Sequence, residues 1–413
     1  MITLDQTFKN IFLIEGKVQN YDWGGKKFIP NLISKKKNMA TYAEYWLGAH
    51  LKAPSVIRTR RGNFSLDFFL KQKSIEFLGL RVANTFGKLP YLFKVLDVNK
   101  MLSIQVHPSK KAAEIGFDIE NERGIPLTAK NRNYKDRNHK PEIMVALSDF
   151  WLLHGFLQRD KLVRNLKETS ELNFLLDTFK ENNYYELYKM VMGFSQDHVN
   201  EILKPLAERI LPKFLNNELD KSSPEYWAAK ALVNKNYENI DRGIFSIYFF
   251  NIVNLSKGEA VFQDAGVPHA YLEGKNIELM ANSDNVLRGG LTSKHIDVEE
   301  LLKNTKFEET IPNVLYGVEN SSNSELVYTT KAKDFKLSKI ESEASLKYKS
   351  KSKSVEILIV LEGTVTVIQK RNRINVEKGQ SILIKANTNY KMVSTKGVEI
   401  YKASVPEQKP PKT

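Results

Sequence analysis

The chain has 413 residues, enough for two or three domains or for one domain with insertions, and its 42% hydrophobic and 27% charged content is ordinary for a globular protein. It contains no run of 18 apolar residues and no basic-then-apolar segment at its start, so we expect neither a membrane span nor a secretory signal. Cysteine is absent, which excludes disulfides and thiolate metal ligands and fits a reducing cytoplasm.

The formal net charge of +14 suits an anionic partner such as nucleic acid, an acidic surface or a phosphorylated metabolite. The lysines are scattered, however, and the densest stretch, residues 331–353, alternates them with serines and acids. No nucleic-acid-binding module accompanies the charge. We therefore attribute it to a lysine-rich composition and expect no nucleic-acid and no membrane partner.

The first third of the chain is predicted to be mainly β, because short apolar runs are broken by Gly, Pro and Asn. Strands are expected at residues 43–51, 90–98 and 101–106. One helix is expected to begin after Ser109, whose hydroxyl can cap it. From residue 159 to residue 239 the apolar residues recur at helical spacing, which predicts a block of helices inserted into a β-rich protein.

Strands are predicted again in the last part of the chain, at residues 245–253, 259–262, 269–272, 355–361, 364–369 and 381–384. Short strands punctuated by Gly turns are typical of a small antiparallel barrel or jelly roll. Residues 257–269 and 377–386 share a pattern of a polar residue, Gly, a polar residue, an apolar strand and a turn. This similarity suggests two related barrels, of which only the first keeps a histidine. Residues 407–413 are expected to fray.

Three short segments carry candidate metal ligands. Gln105 and His107 are two residues apart on a predicted strand and therefore share a face. Glu142 follows Pro141, which favours the start of a strand, and His269 follows a Gly-Val-Pro turn. One inward-facing metal held by three strands fits this pattern, and two imidazoles favour Zn²⁺ or a similar ion over Mg²⁺ or Ca²⁺.

Spacing alone leaves other interpretations open. A Gln-x-His pair on a strand is usually a hydrogen-bonding pair inside a barrel. His139 lies three residues from Glu142, so it could replace one of the ligands. The other histidines that could do so are His50, His154, His198 and His295.

Residues 134–142 read Tyr-Lys-Asp-Arg-Asn-His-Lys-Pro-Glu. They resemble the signature of the type I mannose-6-phosphate isomerases (phosphomannose isomerases), Tyr-x-Asp-x-Asn-His-Lys-Pro-Glu, at every fixed position. Four further segments are similar to that family, namely residues 19–24, 43–50, 102–108 and 269–288. The similarity extends from about residue 16 to residue 294.

The resemblance implies a mainly β fold with a helical insertion. A cupin (jelly-roll) catalytic domain would comprise residues 1–158 and 240–325, an inserted α-helical domain residues 159–239, and a second cupin-like domain residues 326–413. The resemblance also implies one Zn²⁺ per chain, held by Gln105, His107, Glu142 and His269.

The implied reaction interconverts mannose 6-phosphate and fructose 6-phosphate, and would feed mannose into central metabolism or supply glycan precursors such as GDP-mannose. Arg288 corresponds to the catalytic arginine of the family. Because a guanidinium is a permanent cation, we expect it to hold the enediolate or the phosphate rather than to act as a base. The family usually has Arg-Ala-Gly and Thr-Pro-Lys where this chain has Arg288-Gly-Gly290 and Thr292-Ser-Lys294, which would loosen the loop after Arg288.

The group that moves the proton between C2 and C1 is not fixed by the resemblance. Lys140 is the first candidate, because a lysine near a metal and an arginine can have a lowered pKa, although a role as a phosphate-binding cation is equally open. The alternatives are His139, Asp284 and Glu278. Candidates for binding the substrate and its phosphate, or for lining the pocket, are Lys94, Ser103, Trp23, Tyr271, Glu44 and Trp46.

The sequence thus predicts a zinc-dependent aldose–ketose isomerase that is cytoplasmic and monomeric, with a small phosphorylated sugar as its partner. Two alternatives stay open. One is a catalytically inactive sugar-phosphate-binding cupin, which the intact ligand set and Arg288 disfavour. The other is a different metal-dependent cupin enzyme, such as an Fe(II) oxygenase with two histidines and one carboxylate, which the glutamine ligand disfavours.

Overall fold

The structure, a computed structural model, describes residues 10–35, 39–59, 62–320 and 324–407, so most of the segment expected to fray lies outside the described residues. β-Strands dominate the described part, as predicted. The strands are β1 (Ile11–Glu15), β2 (Lys17–Gln19), β3 (Glu44–Leu47), β4 (Val56–Thr59), β5 (Gly62–Ser65), β6 (Tyr91–Val98), β7 (Ile104–Val106), β8 (Glu142–Ala146), β9 (Phe150–Phe156), β10 (Phe250–Leu255), β11 (Ala260–Gln263), β12 (His269–Ala281), β13 (Leu287–Gly290), β14 (Val318–Glu319), β15 (Glu325–Tyr328), β16 (Lys336–Ser342), β17 (Leu346–Lys351), β18 (Glu356–Glu362), β19 (Thr364–Gln369), β20 (Asn372–Glu377), β21 (Ser381–Ile384), β22 (Asn389–Ser394) and β23 (Val398–Ser404).

The helices are concentrated in the middle of the chain. They are α1 (Phe28–Leu32), α2 (Leu66–Gln72), α3 (Ser74–Leu78), α4 (Leu80–Phe86), α5 (Lys110–Glu122), α6 (Arg159–Glu168), α7 (Tyr184–Gly193), α8 (Gln196–Leu215), α9 (Pro224–Leu232), α10 (Gly243–Phe249) and α11 (Val298–Asn304), with 3₁₀ turns at Ser170–Leu176 and Lys180–Asn182. None of the described helices is long and apolar enough to cross a membrane.

Strand β12 joins the two walls of the first barrel. Its first part, from His269, pairs with β7 and β9, and its second part, from Gly274, pairs with β6 and β8. Gly274 has a φ of +130°, and a Cβ atom there would lie 2.6 Å from the ring of Phe150. The point at which β12 changes its partner strands therefore requires glycine. This change of partners allows His269 on one wall to face Glu142 on the other.

The second barrel recruits strands from the beginning of the chain. In the described part its larger sheet has the order β14-β15-β16-β23-β18-β21-β1-β4-β5, and it packs on the sheet β17-β22-β19-β20 around a core of Ile, Val and Leu. Ile11 of β1, for example, lies opposite Ile384 of β21. Strands β1, β4 and β5 fall within residues 1–158, which the sequence assigned to the catalytic domain. The domain boundaries stay a prediction. They differ from the sheet pairing at these three strands, which pair with the second barrel.

The inserted helices α6 to α9 pack on the first barrel through a continuous apolar cluster that includes Leu166, Leu203 and Trp227 from the insertion and Val106 from β7. The helix predicted after Ser109 is confirmed as α5, and the Ser109 hydroxyl accepts a hydrogen bond of 3.2 Å from the Ala112 N–H. The strand predicted at residues 245–253 was wrong for its first five residues, which belong to helix α10. Every residue of α10 is buried, so its sequence is apolar all round and lacks a helical period.

Candidate active site

His107, Glu142 and His269 converge at one buried point between the two walls of the first barrel. Their candidate ligand atoms lie within 4.8 Å of one another. His107 Nε2 lies 3.4 Å from Glu142 Oε1, and His269 Nε2 lies 3.6 Å from Glu142 Oε2. Each side chain comes from a different strand or strand end, so the barrel itself creates the cluster.

Hydrogen bonds orient both imidazoles toward this point. His107 Nδ1 donates to the Asn285 carbonyl at 3.0 Å, and His269 Nδ1 donates to the Val267 carbonyl at 2.9 Å. Nε2 of each ring is therefore left as an acceptor, and within the described residues the buried Nε2 of His107 has no hydrogen-bond partner. Backbone carbonyls commonly orient metal-binding histidines in this way.

The protonation states also suit a metal. Burial lowers the pKa of His107 to about 3, with the charge of Lys140 adding to the effect, so the ring is neutral at pH 7. Burial alone would raise the pKa of Glu142, but Lys140 and His107 bring it well below its usual range. The neutral imidazole of His107, the second imidazole of His269 and one carboxylate form a donor set that fits a divalent transition metal.

Gln105 lies beside this cluster. It pairs with His269 across β7 and β12 and with Arg288 across β7 and β13. Since directly opposed residues of neighbouring strands share a face, Gln105, His269 and Arg288 form a row on the inner face of the barrel. Gln105 thus lies opposite His269 and lines the same cavity, so its amide oxygen is the candidate for a fourth ligand.

A cavity of about 1690 Å³ opens beside the cluster. Most of the predicted site residues line it: Gln105, Glu142, His269, Arg288, Lys140, Asp284, Glu278, Lys94, Ser103, Trp23, Tyr271, Glu44 and Trp46. His107 lies behind this lining and is fully buried. The structure thus brings the predicted metal ligands and the predicted polar residues to one place.

His139 does not line the cavity. Its Nε2 lies 2.9 Å from Asp334 Oδ2, in the segment that precedes β16 of the second barrel, and its side chain is 30% exposed. The residue that follows it, Lys140, lines the cavity, with Nζ 2.8 Å from Glu142 Oε1. Neighbouring residues of the signature therefore face opposite ways, and the geometry does not support His139 as the proton carrier.

Lys94 is held by two carboxylates. Its Nζ lies 2.7 Å from Glu278 Oε1 and 3.5 Å from Glu44 Oε2, and 5.4 Å from the ring centre of Trp46. Burial would lower the pKa of Lys94, but Glu278 and Glu44 raise it well above its usual value. The pKa of Glu278 is also raised, because its burial outweighs the charge of Lys94. Lys94 is thus a buried permanent cation, not a solvated charge at the end of a strand.

Asp284 is engaged from the opposite side of the cavity. Its carboxylate lies 2.8 Å from Lys52 Nζ and 3.3 Å from His50 Nε2. Burial raises the pKa of Asp284, but His50 and Lys52 more than compensate and lower it overall. Asp284 is therefore a firmly ionised carboxylate at neutral pH.

Arg288 has no such partner. Among the described residues no carboxylate lies within ion-pair distance of its guanidinium, and its buried Nε makes no hydrogen bond. Burial lowers the pKa of Arg288 from its ordinary value, which is so high that the group stays charged. A partly buried cation without a counter-charge beside a cavity indicates a site for an anionic ligand.

Known proteins resemble this chain over nearly its whole length. A family model of the phosphomannose isomerase type I catalytic domain matches residues 11–159. The mannose-6-phosphate isomerase of Shigella flexneri is 37% identical over 373 residues, which cover 90% of this chain and 93% of the relative. That of Homo sapiens is 30% identical over 431 residues, covering 95% and 98%. The chain belongs to the type I phosphomannose isomerase family.

Solved structures agree with this assignment. The mannose 6-phosphate isomerase of Salmonella typhimurium, bound to its substrate fructose 6-phosphate and to zinc, is 32% identical, with a TM-score of 0.83 over 96% of this chain and all of that one. Another zinc-bound mannose 6-phosphate isomerase structure gives a TM-score of 0.85 at 32% identity and the same coverage. The predicted family and the cupin fold are confirmed.

The sequence named His154 only as an alternative metal ligand. In the structure its Nδ1 lies 2.7 Å from Gln263 Oε1, and His154 on β9 lies opposite His269 on β12. One wall of the cavity was not predicted: it is formed by residues between 230 and 242, at and just after the end of the helical insertion. These residues carry no motif that a single sequence could reveal.

Proposed function

We propose that this chain interconverts mannose 6-phosphate and fructose 6-phosphate, using one Zn²⁺ held by Gln105, His107, Glu142 and His269. The observation that carries the proposal is the buried cluster of His107, Glu142 and His269 beside a cavity that also holds an unpaired arginine. Relatives named mannose-6-phosphate isomerase, and a neighbour bound to fructose 6-phosphate and zinc, support the choice of reaction and metal. The zinc would act as a Lewis acid that stabilises negative charge on the sugar oxygens.

The isomerisation needs one group that removes the proton from C2 and returns it to C1. The aldehyde oxygen O1 gains a proton and the hydroxyl at O2 loses one, so no oxidant or reductant is required. We assign the carbon-to-carbon transfer to Lys140, because its Nζ lines the cavity at the edge of the proposed zinc site, 2.8 Å from Glu142 Oε1, where the charge of a bound Zn²⁺ would favour the neutral amine. Glu278 and Asp284 remain the alternatives, since both also line the cavity.

The other charged residues would bind and orient the substrate. Lys94 cannot remove a proton because Glu278 and Glu44 keep it charged; it fixes those two carboxylates and is one candidate for a contact with a substrate oxygen. Arg288 lacks a counter-charge, so an enediolate oxygen or the phosphate would supply it. Ser103, Trp23 and Tyr271 line the same cavity and would exclude water from the sugar.

Two further expectations belong to this proposal. We infer a cytoplasmic location, which a chain without cysteine fits, and a monomer, which analytical ultracentrifugation would test. An inactive sugar-phosphate-binding protein is the alternative from another class. It would bind mannose 6-phosphate but would not turn it over.

The decisive experiment is a coupled assay that follows fructose 6-phosphate formation. Purified protein would be assayed as isolated, after chelation and after Zn²⁺ is restored, with calorimetric binding of mannose 6-phosphate measured in parallel. We expect turnover to disappear with chelation and to return with zinc. Binding without turnover in the zinc-loaded protein would favour the inactive binding protein and refute the isomerase.

A further inference from the structure

The carboxylate of Asp241 fastens the loop that follows Arg288. Asp241 lies just after the helical insertion and just before α10, and its Oδ1 accepts hydrogen bonds from the backbone N–H groups of Gly243, at 2.7 Å, and Leu291, at 2.8 Å. Its Oδ2 accepts a third hydrogen bond, of 2.8 Å, from the Thr292 N–H. One side chain from the segment that follows the insertion thus holds the backbone between β13 and α11.

The backbone of the loop is shaped around this carboxylate. Leu291 has a φ of +54°, a left-handed conformation that residues other than glycine rarely adopt. A Cβ atom on Gly290 would collide with Cα of Gly243, so the two glycines let the chains approach each other closely. Successive N–H groups in such a conformation form a small anion-binding concavity, and the anion here is the side chain of Asp241. The loop that follows Arg288 is thus anchored at Leu291 and Thr292.

The fastened loop is part of the cavity wall. Arg288, Leu291, Thr292 and Lys294 all line the cavity, as does Asp241 itself. Within the described residues no carboxylate restrains the Arg288 guanidinium, so its direction depends on the backbone that carries it. That backbone is fixed on one side by the pairing of Arg288 with Gln105 and three residues later by Asp241.

We propose that Asp241 is a positioning residue for the isomerase reaction, which sets the direction of Arg288 by anchoring the loop at Leu291 and Thr292. This rests on the proposed function, because it takes Arg288 to bind the sugar phosphate or its enediolate. Asp241 itself need not touch the substrate, since its two oxygens are already occupied by three N–H donors. The segment that joins the helical insertion to α10 thereby contributes to catalysis through one side chain.

A double-mutant cycle tests this role. Asp241→Ala, Arg288→Ala and the double variant would be assayed as zinc-loaded proteins on mannose 6-phosphate, with kcat, KM and zinc content measured for each. We expect Asp241→Ala to lower kcat/KM at least about tenfold without loss of zinc. In the Arg288→Ala background the same change should alter kcat/KM by less than about twofold, because residues that act as a unit are not additive.

Asp297 provides a matched control. Its carboxylate also accepts a backbone N–H, from Glu300 at 3.0 Å, and a side-chain N–H, from Asn133 at 2.8 Å, but it does not line the cavity. We expect Asp297→Ala to lower the Tm and to combine additively with Arg288→Ala. A purely structural role for Asp241 would give the same additive result.

Specific outcomes would overturn the proposal. If Asp241→Ala keeps kcat/KM within about twofold of wild type, or if its effect persists in full without Arg288, Asp241 does not act through Arg288. If the alanine variant does not fold, Asp241→Asn replaces it in the same double-mutant cycle, because asparagine keeps the oxygen that faces Gly243 and Leu291. If zinc-loaded wild type shows no turnover, the proposed function fails and this role fails with it, whereas turnover with additive effects refutes the positioning role alone.

Discussion

The ammonium group of Lys140 lies 2.8 Å from the carboxylate of Glu142. The same oxygen, Oε1, lies 3.4 Å from His107 Nε2. One carboxylate is therefore shared between the metal cluster and the lysine, both of which are largely buried. The candidate proton carrier is thus held at the edge of the metal site by one of the proposed metal ligands.

Replacing Lys140 by methionine tests the role given to it. We expect kcat to fall about 10²- to 10⁴-fold, the usual contribution of a positioned acid or base, while zinc content stays at one per chain. Lys140→Arg keeps the positive charge and is the matched control. If instead only KM rises in the methionine protein and arginine restores KM, Lys140 is a phosphate-binding cation.

Replacing His139, which is adjacent to Lys140, is expected to change stability rather than kcat. Its contact with Asp334 joins the start of β8 to the second barrel, and its side chain does not reach the cavity. His139→Ala should lower the free energy of unfolding by about 1 kcal/mol, measured by urea denaturation, because the buried Asp334 loses a partner. kcat should stay within about threefold of wild type; a loss as large as that expected for Lys140→Met would place His139 in the proton transfer.

Local patterns were sufficient to name the candidate metal ligands but not to predict how they meet. The resemblance of residues 134–142 identified Glu142, and the two-residue period of a strand placed Gln105 and His107 on one face. Their convergence with His269 depends on the change of strand partners within β12 at Gly274, where the close approach of Phe150 requires glycine. That contact is made between distant parts of the chain, so no local pattern encodes it.

The errors have the same physical origin. Helix α10 was predicted as a strand because a helix buried on all sides loses its amphipathic period. The pairing of β1 with β21 joins the two ends of the chain, and residues 11–15 would have the same apolar pattern in either barrel. Asp241 resembles any polar loop residue until its three N–H donors are seen in space.

Glu142→Ala should abolish zinc retention. Glu142 is the sole carboxylate in the described cluster, and its loss leaves two buried imidazoles and an unpaired Lys140 near the ion site. After dialysis, zinc content measured by atomic absorption should fall from about one per chain to near zero, and turnover should fall with it. Glu259→Gln, which removes the charge of a carboxylate outside the cavity, should keep both. Full zinc occupancy in the alanine variant would contradict the assigned ligand set.

Arg288→Ala should separate binding of the metal from catalysis. Zinc content should be unchanged, because Arg288 contacts none of the clustered ligands, while kcat/KM should fall about 10²- to 10³-fold, as when one donor to a developing charge is removed. Arg288→Lys should recover little of this loss, because an ammonium lacks the forked donors of guanidinium. An Arg288→Ala protein with unchanged kcat/KM would remove Arg288 from the mechanism.

The metal-free protein should lose stability in mild acid because of buried histidines such as His154. Burial lowers the pKa of His154 to about 4, only partly opposed by its contact with Gln263, whereas an unfolded chain has a histidine pKa near 6.5. Below pH 6.5 the unfolded state binds a proton that the folded state does not accept until about pH 4. Stability from the neutral ring is therefore complete above pH 6.5 and is lost as the pH falls from 6.5 to 4.

At pH 5 the lowered pKa of His154 reduces the free energy of unfolding by about 2 kcal/mol. The lowered pKa of His107 reduces it in the same direction. The free energy of unfolding of chelated protein would be measured by urea denaturation at pH 7 and at pH 5. Between these pH values it should fall by about 2 kcal/mol less in His154→Gln than in wild type. His198→Gln, at an exposed position, should match wild type. If His154→Gln instead loses as much free energy of unfolding between the two pH values as wild type does, the buried His154 does not have a lowered pKa in the folded protein.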